Sequence, residues 1–173
     1  QEENRPYWGT QPENNVMTYL RAQGYTVYNP TVGGYSSAWD RACELYAQLT
    51  GTVVDYGAAH SKECGHDRFG RDYTDRATMG KAWDLESPLN FVGHSFGGET
   101  IRLLASLLAY GDETEMKAAT ENCSELFKGG HEKGIRSITA ISSPHNGSTV
   151  SNYVADTYLP AFLMIFMLHS KCV

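Results

Sequence analysis

The chain has 173 residues, enough for one domain with a real core. A net charge of −6 and the absence of any basic cluster exclude nucleic acid as the main partner, because phosphate binding needs Lys and Arg on one face. Its longest apolar run, Leu159 to Leu168, is too short for a membrane-spanning helix, which needs about 20 residues.

In chain order, Val16–Gln23 has helical apolar spacing and stops at Gly24. Tyr25–Asn29 has β-type composition and is closed by Pro30. Gly33-Gly34 opens a loop, and Ser36-Ser37 offers the cap of a helix through Trp39–Leu49, stopped by Gly51. Residues 57–82 are rich in Gly, His, Arg and Asp without a clear period and read as a long functional loop. Leu89–Val92 reads as a strand, Glu99–Leu108 as a helix, Glu113–Thr120 as a weak helix and Ile135–Ile141 as a strand. Tyr158–His169 reads as an apolar helix. Strands alternating with helices predict an α/β fold on a parallel sheet.

Four cysteines lack metal-type CxxC spacing. Cys43, inside a helical pattern, reads as a buried thiol. A Cys64–Cys123 disulfide is the open alternative to free thiols, and Cys172 is uninformative. Asn122-Cys-Ser and Asn146-Gly-Ser fit the N-glycosylation pattern.

The most informative segment is Gly93-His94-Ser95-Phe96-Gly97, followed by Gly98. A G-x-S-x-G between a strand and a helix places a serine on a sharp turn with its hydroxyl pointing outward. Glycines two before and two after allow strand and helix to approach closely. Ser95 is therefore the candidate nucleophile, and the Phe96 N–H, at a helix start, is a candidate oxyanion donor. The bland alternative is a glycine-rich turn around a buried serine.

A second cluster is Asp40 with His60 and His66. Two imidazoles and a carboxylate suit zinc. From spacing alone, solvated or hydrogen-bonded histidines remain the open alternative.

Several stretches together carry a resemblance. They are Tyr7-Trp8-Gly9, Ser-Ser-Ala-Trp-Asp-Arg-Ala-Cys-Glu-Leu-Tyr at 36–46, Val-Asp-Tyr-Gly-Ala-Ala-His at 54–60, Gly-His-Asp-Arg-Phe-Gly at 65–70, the serine motif, and Ser-Pro-His-Asn-Gly at 143–147. From Tyr7 to about Val154 the chain resembles the zinc-containing bacterial lipases, the thermoalkaliphilic Bacillus type and the staphylococcal group.

The resemblance implies a secreted α/β-hydrolase with a central parallel sheet, Ser95 as nucleophile and Phe96 at the oxyanion hole. It implies a structural zinc held by Asp40, His60 and His66, with Cys64 as a minor alternative ligand, in an extra subdomain around 57–82. It also implies a lipid or ester substrate met at a lipid–water interface; the apolar helix from residue 158 reads as a lid or, equally, as a plain buried helix.

Family chains are about twice as long. The expectation is thus a partial hydrolase core, 1–173, without the N-terminal strand and C-terminal portion. That leaves the triad histidine and acid, the fourth zinc ligand and the family calcium site outside these residues. Asp156 and His169 follow Ser95 in triad order but sit beside the apolar lid-like helix. His94, His131 and His145 belong to family motifs and are not base candidates. Arg41 and Asp55 read as scaffold ion-pair partners. The expected activity is hydrolysis of acylglycerol esters. The alternatives are a carboxylesterase for short soluble esters, or a zinc-binding segment without catalysis of its own.

Overall fold

The computed structural model describes residues 7–119, 122–147 and 149. The expected helix at Tyr158–His169, with Asp156, His169 and Cys172, lies outside the described residues. The chain divides into two compact units, 1–30 and 31–173.

In the first unit, α1 spans Val16–Ala22. The Asn15 side chain caps it by accepting from the Thr18 N–H, and Asn15 also donates to the Gly9 carbonyl at 2.9 Å. Tyr25–Asn29 forms no strand, contrary to its composition. Its aromatics match the propensity of a strand, but no described segment pairs with it, and an unpaired strand has nothing to hold it. It is instead tied locally, with Arg21 Nη2 donating to the Val27 carbonyl at 3.0 Å.

In the second unit, α2 spans Ala38–Thr50 and buries most of its length. Ser37 caps its start, and Gly51, in the left-handed conformation at φ 66°, ends it. β1, Val53–Asp55, pairs antiparallel with β2, Phe69–Asp72, and α3, Ala58–Cys64, lies between them in sequence. The stretch read as an irregular loop over 57–82 thus carries a helix and a strand. Both are too short for a clear period, and partners distant in sequence hold them (see below).

β3, Leu89–His94, runs parallel to β4, Ile135–Ile141, with Phe91 opposite Ile138 and His94 opposite Ile141. The predicted parallel arrangement is present in this pair. Between them in sequence are α4, Phe96–Tyr110, and α5, Glu113–Ala118. α4 buries Ile101, Leu104, Leu107 and Leu108, a stripe at helical spacing, against α2 and the strands. Leu104 and Leu108 are fully buried, each stabilising the fold by roughly 1.5–3 kcal/mol. No helix among the described residues is long and apolar enough to cross a membrane.

The β3–α4 turn is very tight. A Cβ on Gly93 would lie 2.5 Å from the Gly97 carbonyl carbon and 2.6 Å from Ile101 Cδ1. A Cβ on Gly98 would collide with the Ser143 side chain, whereas one on Gly97 would meet nothing. The close approach therefore rests on Gly93 and Gly98, not on both motif glycines. Gly93→Ala should lower stability by about 1–3 kcal/mol through overpacking against backbone. Gly97→Ala should leave stability unchanged or raise it by up to about 1 kcal/mol through helix propensity. Urea unfolding of the two variants checks this, and equal losses at both positions would contradict it.

Candidate functional site

Ser95 sits at φ 53°, ψ −129°, between the last residue of β3 and the first of α4. A side chain at positive φ is strained, and the surroundings over-determine it here. The Ser95 N–H donates to the Ile141 carbonyl at 2.9 Å, and its carbonyl accepts from the Gly98 N–H at 3.1 Å. β4 thus holds the turn from one side and α4 from the other.

Phe96 opens α4, so its N–H is among those a helix leaves without an intrahelical partner. Its carbonyl accepts from Thr100 Oγ1 at 2.9 Å, and its ring lies 5.3 Å from the Arg41 guanidinium. Arg41 Nε also donates to Thr100 Oγ1 at 2.9 Å, and Nη1 donates to the Ser36 carbonyl at 2.7 Å. Burial holds the Arg41 pKa below its ordinary value, opposed by the charges of Glu99, Glu44 and Asp40. Glu99, one turn beyond Ser95, has both carboxylate oxygens shielded and, among the described residues, accepts no hydrogen bond. His145 Nδ1 lies 3.3 Å from Glu99 Oε1, an ion-pair distance without hydrogen-bond alignment.

A second group of polar side chains gathers where α2 meets α3. Asp40 is in the first turn of α2, His60 is in α3, and His66 follows Gly65, which ends α3 in the left-handed conformation. Asp40 Oδ1 lies 2.9 Å from His60 Nε2 and 3.9 Å from His66 Nε2. His66 Nδ1 lies 2.9 Å from the Asp67 carbonyl, an acceptor, so Nδ1 carries the proton and Nε2 the lone pair. That Nε2 is buried with no hydrogen-bond partner among the described residues.

A shielded lone pair facing a carboxylate and a second imidazole is the arrangement of a metal ligand with its backbone second partner. Two ligands of one tetrahedral ion stand roughly 3.3 Å apart at ordinary zinc bond lengths. The 2.9 and 3.9 Å separations bracket that value. The residues therefore fit a metal ion.

Rings fix the cluster from outside. Trp39 stacks on His60 at 5.2 Å between centroids and on Phe127 at 5.5 Å, and its Nε1 donates to the Tyr56 carbonyl at 2.8 Å. Tyr56 meets His66 edge-on at 5.3 Å. Burial, then the adjacent Glu44 carboxylate, pushes the Tyr56 hydroxyl pKa up.

His60, Cys64 and His66 also bring donor atoms within 4.8 Å of one another, and Cys64 Sγ lies 3.6 Å from His60 Nδ1. Cys64 is disulfide-bonded, and a disulfide sulfur is no thiolate. Asp40 Oδ1 is the other donor atom facing both imidazoles.

Cys43 and Cys123 are free, so the expected alternative of a Cys64–Cys123 bridge is not formed. Asp55 is the scaffold partner it was read to be, held by Arg68 through two hydrogen bonds of 2.8 Å and accepting the Gly57 N–H at 2.9 Å. Sequence reasoning missed Glu115. Its buried carboxylate accepts the Ala59 N–H at 2.9 Å and the His60 N–H at 2.7 Å. A separation of 55 residues left no local signal for that contact.

Comparison with known proteins places the chain in a family. The family model described as "Lipase-like, C-terminal domain" matches residues 4–169. The chain belongs to that family. It is 42% identical over 154 residues to the lipase of Staphylococcus hyicus, covering 87% of this chain and 23% of that protein. Lipase 2 of Staphylococcus aureus is 41% identical over 154 residues, with 22% of its length matched.

Among solved structures, the S. hyicus lipase superposes with a TM-score of 0.77 at 40% identity, over 93% of this chain and 41% of that one. EstA from Clostridium botulinum superposes at 0.75 and 39% identity, over 95% of this chain and 37% of that one. The chain thus spans less than half of each of these relatives.

Burial pushes the Cys43 thiol pKa well up and that of half-buried Cys123 up more modestly. Iodoacetamide at pH 8 should label Cys123 in the native protein and Cys43 only after unfolding. Peptide mass spectrometry checks this, and native labelling of Cys43 would contradict the buried assignment.

Proposed function

We propose that this chain is the nucleophile-bearing core of a secreted bacterial lipase of the α/β-hydrolase type, acting on acylglycerol esters at a lipid–water interface. The observation that carries the reading is the positive-φ backbone of Ser95 at the β3–α4 turn. Strain of this kind, imposed by a strand on one side and a helix on the other, presents a serine hydroxyl outward for attack. The kinship with staphylococcal lipases supports the reaction class. The activity is proposed for the polypeptide that contains these residues.

In this reading Ser95 Oγ attacks the ester carbonyl carbon while a histidine base accepts its proton. Negative charge develops on the carbonyl oxygen. The Phe96 N–H, at the positive end of the α4 dipole, donates to it. The Thr100 and Arg41 contacts hold Phe96 still, so the donor is in place before charge develops. The alkoxide leaves with the proton, and water then attacks the acyl-Ser95 ester to release the fatty acid.

Asp40, His60 and His66 would hold a zinc ion with a structural role. The ion would supply positive charge between two imidazoles and a carboxylate, tying α3 to α2. No chemical step passes through it.

Ser95→Ala should lower hydrolysis of p-nitrophenyl esters on the order of 10³-fold or more. In the longer polypeptide that contains these residues, an active Ser95→Ala variant, or the absence of turnover on esters of any chain length, would overturn the lipase reading. After exhaustive dialysis, elemental analysis should find zinc retained in the wild type and lost in His66→Ala. Metal-free, folded wild-type protein would remove the metal assignment.

A further inference from the structure

The reading of Asp40, His60 and His66 as metal ligands leaves open what holds His60 at the distance an ion needs. We propose that Glu115 is a positioning residue of the metal site, acting on His60 through its main chain. The inference rests on the metal reading above and goes beyond it by assigning a role to a residue on α5 that touches no ligand atom.

His60 is gripped at three points. Trp39 stacks on one face of the ring, and Asp40 Oδ1 faces Nε2. The third grip is on the backbone. Glu115 Oε1 accepts the His60 N–H at 2.7 Å, and Oε2 accepts the Ala59 N–H at 2.9 Å.

Both carboxylate oxygens are therefore committed to adjacent amides, in a side chain that is only 2% exposed. Charge-assisted bonds of this kind are short and roughly twice as strong as neutral ones. Glu115 is in turn fixed by its own helix, since its N–H donates to the Asp112 side chain at 2.9 Å.

Gly57 completes the fit. It lies at φ 94°, and a Cβ there would sit 2.6 and 2.7 Å from the two Glu115 oxygens. The carboxylate occupies the space a side chain would take, which accounts for glycine just before α3. Asp55 holds the Gly57 N–H, so the chain entering α3 is fixed on both sides.

The consequence is mechanical and electrostatic. A shift of the His60 backbone would swing Nε2 away from the point shared with Asp40 and His66. A buried negative charge near the site also favours a cation there. Partners beyond the ligands themselves commonly change metal affinity 10- to 100-fold.

The test is zinc affinity by competition with a chromophoric chelator. Glu115→Gln should weaken zinc binding about 10- to 100-fold. Glu113→Gln, on the exposed face of the same helix, should not change it. Cobalt substitution gives a second readout, because a displaced His60 alters the visible spectrum of the bound ion. A folded Glu115→Gln protein with wild-type zinc affinity and an unchanged cobalt spectrum would overturn the inference while leaving the metal reading intact. Wild-type protein that binds no zinc would overturn both.

If Glu115→Gln fails to fold, hydrogen exchange on the wild type decides. The Ala59 and His60 amides should exchange more slowly when zinc is added. Exchange at those two amides unchanged by zinc would overturn the inference.

Discussion

Asp40 brings a carboxylate into a buried junction between α2 and α3, 2.9 Å from one imidazole and 3.9 Å from another. Charge of one sign in such a place is costly unless it is compensated. The compensation organises much of what surrounds it. Ser37 caps the helix start from which Asp40 projects, Trp39 covers His60, and Asp67 orients His66 through its carbonyl. The elements on either side, α3 and β2, are short and anchored by side chains from elsewhere, namely Glu115, and Asp55 with Arg68. Among the described residues His66 Nε2 has no hydrogen-bond partner.

The same helix links this junction to the serine turn. Arg41 follows Asp40 directly and reaches Thr100 and the Phe96 ring at the start of α4. Gly93 and Gly98 allow α4 to lie close over β3 and β4. Two neighbouring residues of α2 thus reach the two polar clusters.

The serine turn was legible in the sequence because everything it needs is local: an apolar strand, glycines at short spacing and a helix immediately after. Ser37 as a cap and Gly51 as a stop were legible for the same reason. Tyr25–Asn29 misled because strand propensity says nothing about a partner, and no described segment pairs with it. The interval 57–82 looked irregular because the groups that order it come from residues such as Glu115, 55 positions from the amide it holds. Spacing alone left His60 and His66 ambiguous. Family resemblance, then geometry, brought them to Asp40. The second motif glycine was over-read, since the tight contact belongs to Gly98.

We propose that Asp40 of α2, His60 of α3 and His66 just beyond α3 hold one ion. X-ray absorption at the zinc edge of the purified, zinc-loaded protein tests it most directly. The account predicts a shell of nitrogen and oxygen ligands at about 2.0–2.2 Å with imidazole scattering behind it and no sulfur. A sulfur shell near roughly 2.3 Å would make Cys64 a ligand. That result, or the absence of imidazole scattering, would contradict the assignment of Asp40, His60 and His66.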